Sequence, residues 1–153
     1  MKPILPAVAA SGLILALLAG CTTPGAYKKR SDLVSDPAAC AAKRFEVYFD
    51  QDQARLTTAA REAISLTATQ LQGCDVTRVQ VLGLADARSG TAAANQSLSE
   101  RRARSVAEAL AAAGLPAPAF EVAAAGAEGA LVNGVNDPLR RRTEVLIEAK
   151  PRR

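Results

Sequence analysis

Alanine fills the apolar positions of this chain. Thirty-four of its 153 residues are alanine, against two tyrosines, three phenylalanines and no tryptophan. A hydrophobic fraction of 49% therefore carries little bulk, and any core must be small and close-packed. The length fits one domain, at roughly 100–150 residues per domain. The absence of histidine excludes Ser/His/Asp and Cys/His catalysis and most zinc sites, so no metal or cofactor is expected. A net charge of +4 is too small for a dedicated nucleic-acid binder, and leaves open an anionic surface or polymer.

Beyond a polar stretch at 21–39, the patterning alternates between strand and helix. Phe45 to Phe49 is rich in aromatic and branched residues and reads as a strand. Ala60, Ile64, Ala68 and Leu71 fall on one face of a helix over Thr58 to Gln72, with Gly73 as terminator. Val76 to Leu82 reads as a second strand with Val79 and Val81 on one face. Gly83 to Gln96 is polar and reads as a long loop. Ser97-Leu98-Ser99-Glu100 has the form of a capping box, which predicts a second helix from Leu98 with Ala103, Val106, Leu110 and Ala113 buried. Phe120 to Ala124 and the alternation of Thr143, Val145 and Ile147 give two further strands, separated by a loop with an Asn133-Gly134 turn. The order β-α-β-α-β-β predicts an α/β (α+β) fold: a two-layer sandwich with a mixed sheet and both helices on one face.

Residues 1–20 have the form of a secretory signal. Lys2 precedes an apolar run, Ile4 to Ala19, that Pro6, Ser11 and Gly12 interrupt, and that is shorter than the ~20 residues of a spanning helix. The segment ends Leu18-Ala19-Gly20-Cys21, which resembles the bacterial lipobox. That resemblance implies a lipidated, palmitate-bearing Cys21, and Thr22 in place of an aspartate implies the outer membrane, with the domain facing the periplasm. The alternative is a chance cysteine behind an ordinary signal or an uncleaved anchor. Residues 21–39 then form a tether, in which Lys28-Lys29-Arg30 either lies against anionic head groups or is simply solvated. With Cys21 assigned in this way and the compartment oxidising, Cys40 and Cys74 are expected to form a disulfide. The alternative is two buried free thiols. Residues 40–149 are expected to form the domain and 150–153 a tail.

Two stretches carry a further resemblance. One is Gly83-Leu84-Ala85-Asp86, with Gly90, Asn95 and Leu98-Ser99-Glu100-Arg101-Arg102-Ala103; the other is Arg141-Arg142-Thr143-Glu144-Val145. With Tyr48-Phe49-Asp50-Gln51-Asp52, they resemble the OmpA-like peptidoglycan-binding domain found in peptidoglycan-associated lipoproteins, over about Phe45 to Ala149. The resemblance implies a stem-peptide ligand held through diaminopimelate, with Asp86 taking the ammonium and Arg102 the carboxylate. A zwitterion on one carbon needs such a pair of opposite charges a few ångströms apart, and a guanidinium can grip a carboxylate with two parallel bonds. Asn95 is expected to brace the loop or touch the peptide, and Arg142 to support the site. The implied role is a non-enzymatic tether between outer membrane and cell wall. Asp50 and Asp52 are paired carboxylates, but they sit in a turn, where turn formation is their ordinary role. Leu84-Ala85 replaces the family's usual His-Thr, and Arg140 its usual Asn. These departures keep an alternative open, in which the fold serves as a periplasmic protein-interaction module docking other envelope proteins.

Overall fold

The structure, a computed structural model, describes residues 40–152. The signal at 1–20, Cys21 and the tether at 21–39 lie outside the described residues. Strand β1 is Lys43–Tyr48, helix α1 is Thr58–Gln70 and strand β2 is Cys74–Gly83. Helix α2 is Ala92–Ala112 and strand β3 is Phe120–Ala124. A two-residue hairpin follows, β4 at Leu131–Val132 and β5 at Val135–Asn136, before the last strand, β6, at Arg142–Pro151.

The main sheet has the order β1-β6-β2-β3. The last strand in sequence is thus an inner strand, antiparallel to β1 on one side and to β2 on the other, while β2 and β3 are parallel. The pleat sends Val47, Val79, Val81, Val145 and Ile147 to one face, where they form the core with Ile64 and Ala68 of α1 and Ala103, Val106 and Leu110 of α2. Both helices therefore cover the same face, as the order of elements predicts. A register shift between Val76 and Arg78 lets Cys74 and Val76 share the inner face with Val79 despite the odd spacing. On the other face, Arg78 pairs with Glu121 at 2.8 Å.

The thin core is packed by close approach. A Cβ on Gly83 would lie 2.0 Å from the backbone oxygen of Ser99. Glycine there lets α2 sit directly on the end of β2. The expected disulfide is present: Cys40 and Cys74 are bonded, with 5.7 Å between their Cα atoms.

The strands β1 and β2 start two residues earlier than the sequence reading, and three further boundaries differ. Helix α2 starts at Ala92, not Leu98, because Thr91 caps it by accepting the Ala94 N–H at 3.2 Å. Three consecutive alanines then favour helix where a loop was expected. Ser97 instead accepts a bond from Arg101, and Glu100 one from Gln96, both within the helix. Helix α1 ends at Gln70, two residues early, since Leu71 and Gln72 turn toward Gly73 at positive φ. Strand β6 runs to Pro151, so half of the expected tail, Lys150 and Pro151, pairs with Asp75 and Cys74.

Candidate functional site

The segment from Leu84 to Thr91 joins β2 to α2. It begins buried: Leu84 and Ala85 belong to the interior, anchored by N–H bonds to Arg142 O at 2.9 Å and Gly126 O at 2.7 Å. Asp86 follows and is fully buried, at 0% exposure. Its Oδ1 accepts from Ser89 Oγ at 2.7 Å, and its Oδ2 from Arg141 Nη1 at 3.3 Å and Asn136 Nδ2 at 3.4 Å. Burial pushes the Asp86 carboxyl up, but the bonds from Ser89, Asn136 and Arg141 outweigh it and hold the group below its ordinary range. It is an ionised carboxylate at neutral pH.

Arg102 is also fully buried, on the inward stripe of α2 that runs Asn95, Ser99, Arg102 and Val106. Three backbone carbonyls hold it. Nε donates to Gln53 O at 2.8 Å, Nη1 to Leu84 O at 2.9 Å and Nη2 to Asp50 O at 3.2 Å. The guanidinium also lies 5.1 Å from the centroid of the Phe49 ring. Burial lowers its proton affinity and the Asp86 charge raises it again; a guanidinium stays protonated throughout. Three of its five N–H donors are committed, which leaves one on each terminal nitrogen. Because α2 begins at Ala92, Arg102 lies deep in the helix rather than in its first turns. The free N–H groups of the helix end therefore lie more than two turns before this residue.

Asn95 is buried and braces the loop through Nδ2, which donates to Gly90 O at 3.3 Å. Its Oδ1 has no partner among the described residues, nor has the Nε of Arg141. Ser99 ties helix to loop, accepting the Gly126 N–H at 3.0 Å while Gly126 O receives the Ala85 N–H.

Arg142 is not part of this arrangement. The pleat that buries Thr143 turns Arg142 to the helix-free face, where it bonds Glu144 at 2.7 Å and Glu46 at 3.3 Å. Its neighbour Arg141, in the turn before β6, reaches Asp86 instead. Sequence reasoning also missed Asn136, which closes β5 against the loop by accepting the Ala87 N–H at 2.7 Å. The Arg141-Arg142 pair was the available signal for the first. Nothing local pointed to the second.

The site thus joins one carboxylate to two guanidiniums at the end of β2. Among the described residues, no group of histidine, cysteine or acidic side chains is placed to hold a metal, and no helix is long and apolar enough to cross a membrane.

Residues 48–143 match the OmpA family. An outer membrane protein of Gluconacetobacter diazotrophicus is 34% identical over 114 residues, which cover 69% of this chain and 30% of that protein. This chain thus spans less than a third of that relative's length. The peptidoglycan-associated lipoprotein from Burkholderia pseudomallei superposes with a TM-score of 0.59 at 25% identity, covering 69% of this chain and 91% of that one. The OmpA-like domain of FopA1 from Francisella tularensis shares the fold, with a TM-score of 0.60 at 24% identity over 72% of this chain and 73% of that one.

Proposed function

Since the chain belongs to the OmpA family, we propose that it binds peptidoglycan without enzymatic action, holding the diaminopimelate centre of the stem peptide at Asp86 and Arg102. The observation that carries this reading is the buried, ionised Asp86 set among Arg102 and Arg141, in a loop that Asn95 and Ser99 brace from the helix. Asp86 receives the ammonium, and the two uncommitted N–H groups of Arg102 receive the carboxylate. The similarity to a lipoprotein described as peptidoglycan-associated supports the same ligand. In the full reading, residues 1–20 are a lipoprotein signal and Cys21 carries the lipid. Residues 21–39 form the tether and 40–149 the binding domain, which links the outer membrane to the wall from the periplasmic side. A weak site suffices, because membrane attachment confines many copies beside a polymer and raises their avidity.

Sedimentation with purified peptidoglycan tests this. The wild type is expected in the pellet. Asp86→Asn, which keeps the shape and removes the charge, should weaken binding about 10- to 100-fold, the worth of one hydrogen bond to a charged group. Arg102→Ala is a poorer probe, because it also strips three carbonyls of their donor; its melting curve must be recorded beside its binding. Wild type remaining in the supernatant overturns the proposal.

A second reading, a periplasmic protein-interaction module, is favoured by one feature. The β4–β5 hairpin and the turn after it leave Leu131, Val132, Val135 and Leu139 more than half exposed beside the loop. That reading takes over where the wild type fails to sediment but retains its fold.

A further inference from the structure

The two arginines of the site are held very differently. Arg102 donates to three carbonyls, lies against Phe49 and has no exposed surface. Arg141 makes one side-chain bond, to Asp86 Oδ2 at 3.3 Å. That is long for a charge-assisted pair, where about 2.7–2.9 Å is usual. Its Nε has no partner among the described residues, and its side chain is 29% exposed. The backbone of Arg141 is fixed, since its N–H bonds Pro138 O and its carbonyl receives the Phe49 N–H. Only the side chain is free to leave.

The carboxylate, by contrast, is fully enclosed, with no exposed surface. Ser89 takes Oδ1, while Asn136 and Arg141 share Oδ2. One lone pair of Oδ1 is unfilled, but these donors cover the group, so an arriving ammonium reaches it by moving one of them aside. Ser89 belongs to the same turn, and Asn136 is tied to the loop through Ala87. Both are also neutral. Losing either to an ammonium would place two cations on one carboxylate, whereas exchanging Arg141 for an ammonium swaps one positive charge for another.

We propose that Arg141 is a built-in competitor for the ammonium position: it neutralises and covers Asp86 Oδ2, and ligand binding evicts it into water. The inference rests on the reading of Asp86 as the ammonium receptor. It makes Arg141 a specificity-determining residue. A ligand with an ammonium can evict the guanidinium, and an anion of the same length without one cannot.

The probes are diaminopimelate and pimelate, the same seven-carbon dicarboxylate without its amino groups. In the wild type, NMR of arginine Nε–H groups reads the exchange directly. Diaminopimelate is expected to bring Arg141 to solvent-like hydrogen exchange and leave Arg102 unchanged, while pimelate moves neither. Arg141→Gln is expected to bind diaminopimelate about two- to fivefold more tightly, since a partly exposed ion pair no longer has to be broken. Unchanged or weaker binding by a folded variant, or greater protection of Arg141 on adding diaminopimelate, overturns the proposal. The spectra decide alone where the variant does not fold. Failure of the wild type both to bind diaminopimelate and to sediment with peptidoglycan overturns the underlying reading, and this one with it. Sedimentation with Arg141 undisturbed overturns only this one.

Discussion

At Arg102 the solvent shell of a charged group has been exchanged for backbone oxygens. An unpaired ion in the interior costs several kcal/mol, so the carbonyls of Asp50, Gln53 and Leu84 are a condition of folding as much as of function. Asp86 obeys the same rule through Ser89, Asn136 and Arg141. Its folded pKa lies below its unfolded one, near 3.9. The stability it contributes is therefore complete above that unfolded value and lost as the pH falls through the lower folded value. Asp86→Asn should be less stable than wild type by about 1–3 kcal/mol at neutral pH. The gap should narrow below about pH 4 as the wild-type carboxylate takes up its proton. Urea denaturation of both proteins at pH 7 and pH 3 checks the sign, and a gap constant with pH would contradict it.

At the level of elements, the contact that sets the site is the approach of α2 to the end of β2 at Gly83. A methyl group there would meet the Ser99 carbonyl at 2.0 Å, and backbone cannot step aside as a side chain can. Gly83→Ala should cost about 1–3 kcal/mol, as overpacking does. It should also weaken peptidoglycan sedimentation, because the helix that is pushed back carries Arg102; thermal melts and the pellet assay read the two effects separately. This joint was half legible in the sequence. Period and alternation were enough for the inward stripes of both helices and for the inner faces of β2 and β6, because those signals are local. The start of α2 was hidden because Asn95, Gln96 and Ser97 read as loop residues. Asn95 in fact packs inward, while the other two face outward from a helix that Thr91 caps. The choice between Arg141 and Arg142 turned on where the pleat of β6 begins, which pairing with distant β1 and β2 decides. The partners of Arg102 were out of reach altogether. They are carbonyls, identical at every position, and only the folded path of the chain selects Asp50, Gln53 and Leu84.

For the molecule as a whole, the disulfide offsets the small alanine-rich core. It closes 34 residues, which is worth about 3–4 kcal/mol in the chain-entropy account. Cys40→Ser with Cys74→Ser should unfold at correspondingly lower urea, and reductant should shift the wild type but not the double variant. The bridge has a mechanical side as well. Cys40 lies just before β1, and β1 is an edge strand that pairs only with β6. A pull arriving there would unzip that strand pair by pair. The sulfur bridge diverts the load to Cys74, the first residue of β2, which β6 and β3 grip from both sides. Strand β2 then runs straight into Leu84, Ala85 and Asp86. If, as proposed, the N-terminus is lipid-anchored and peptidoglycan is held at Asp86, tension between them would travel along one covalent line, resisted in shear, with both helices and the edge strand slack beside it.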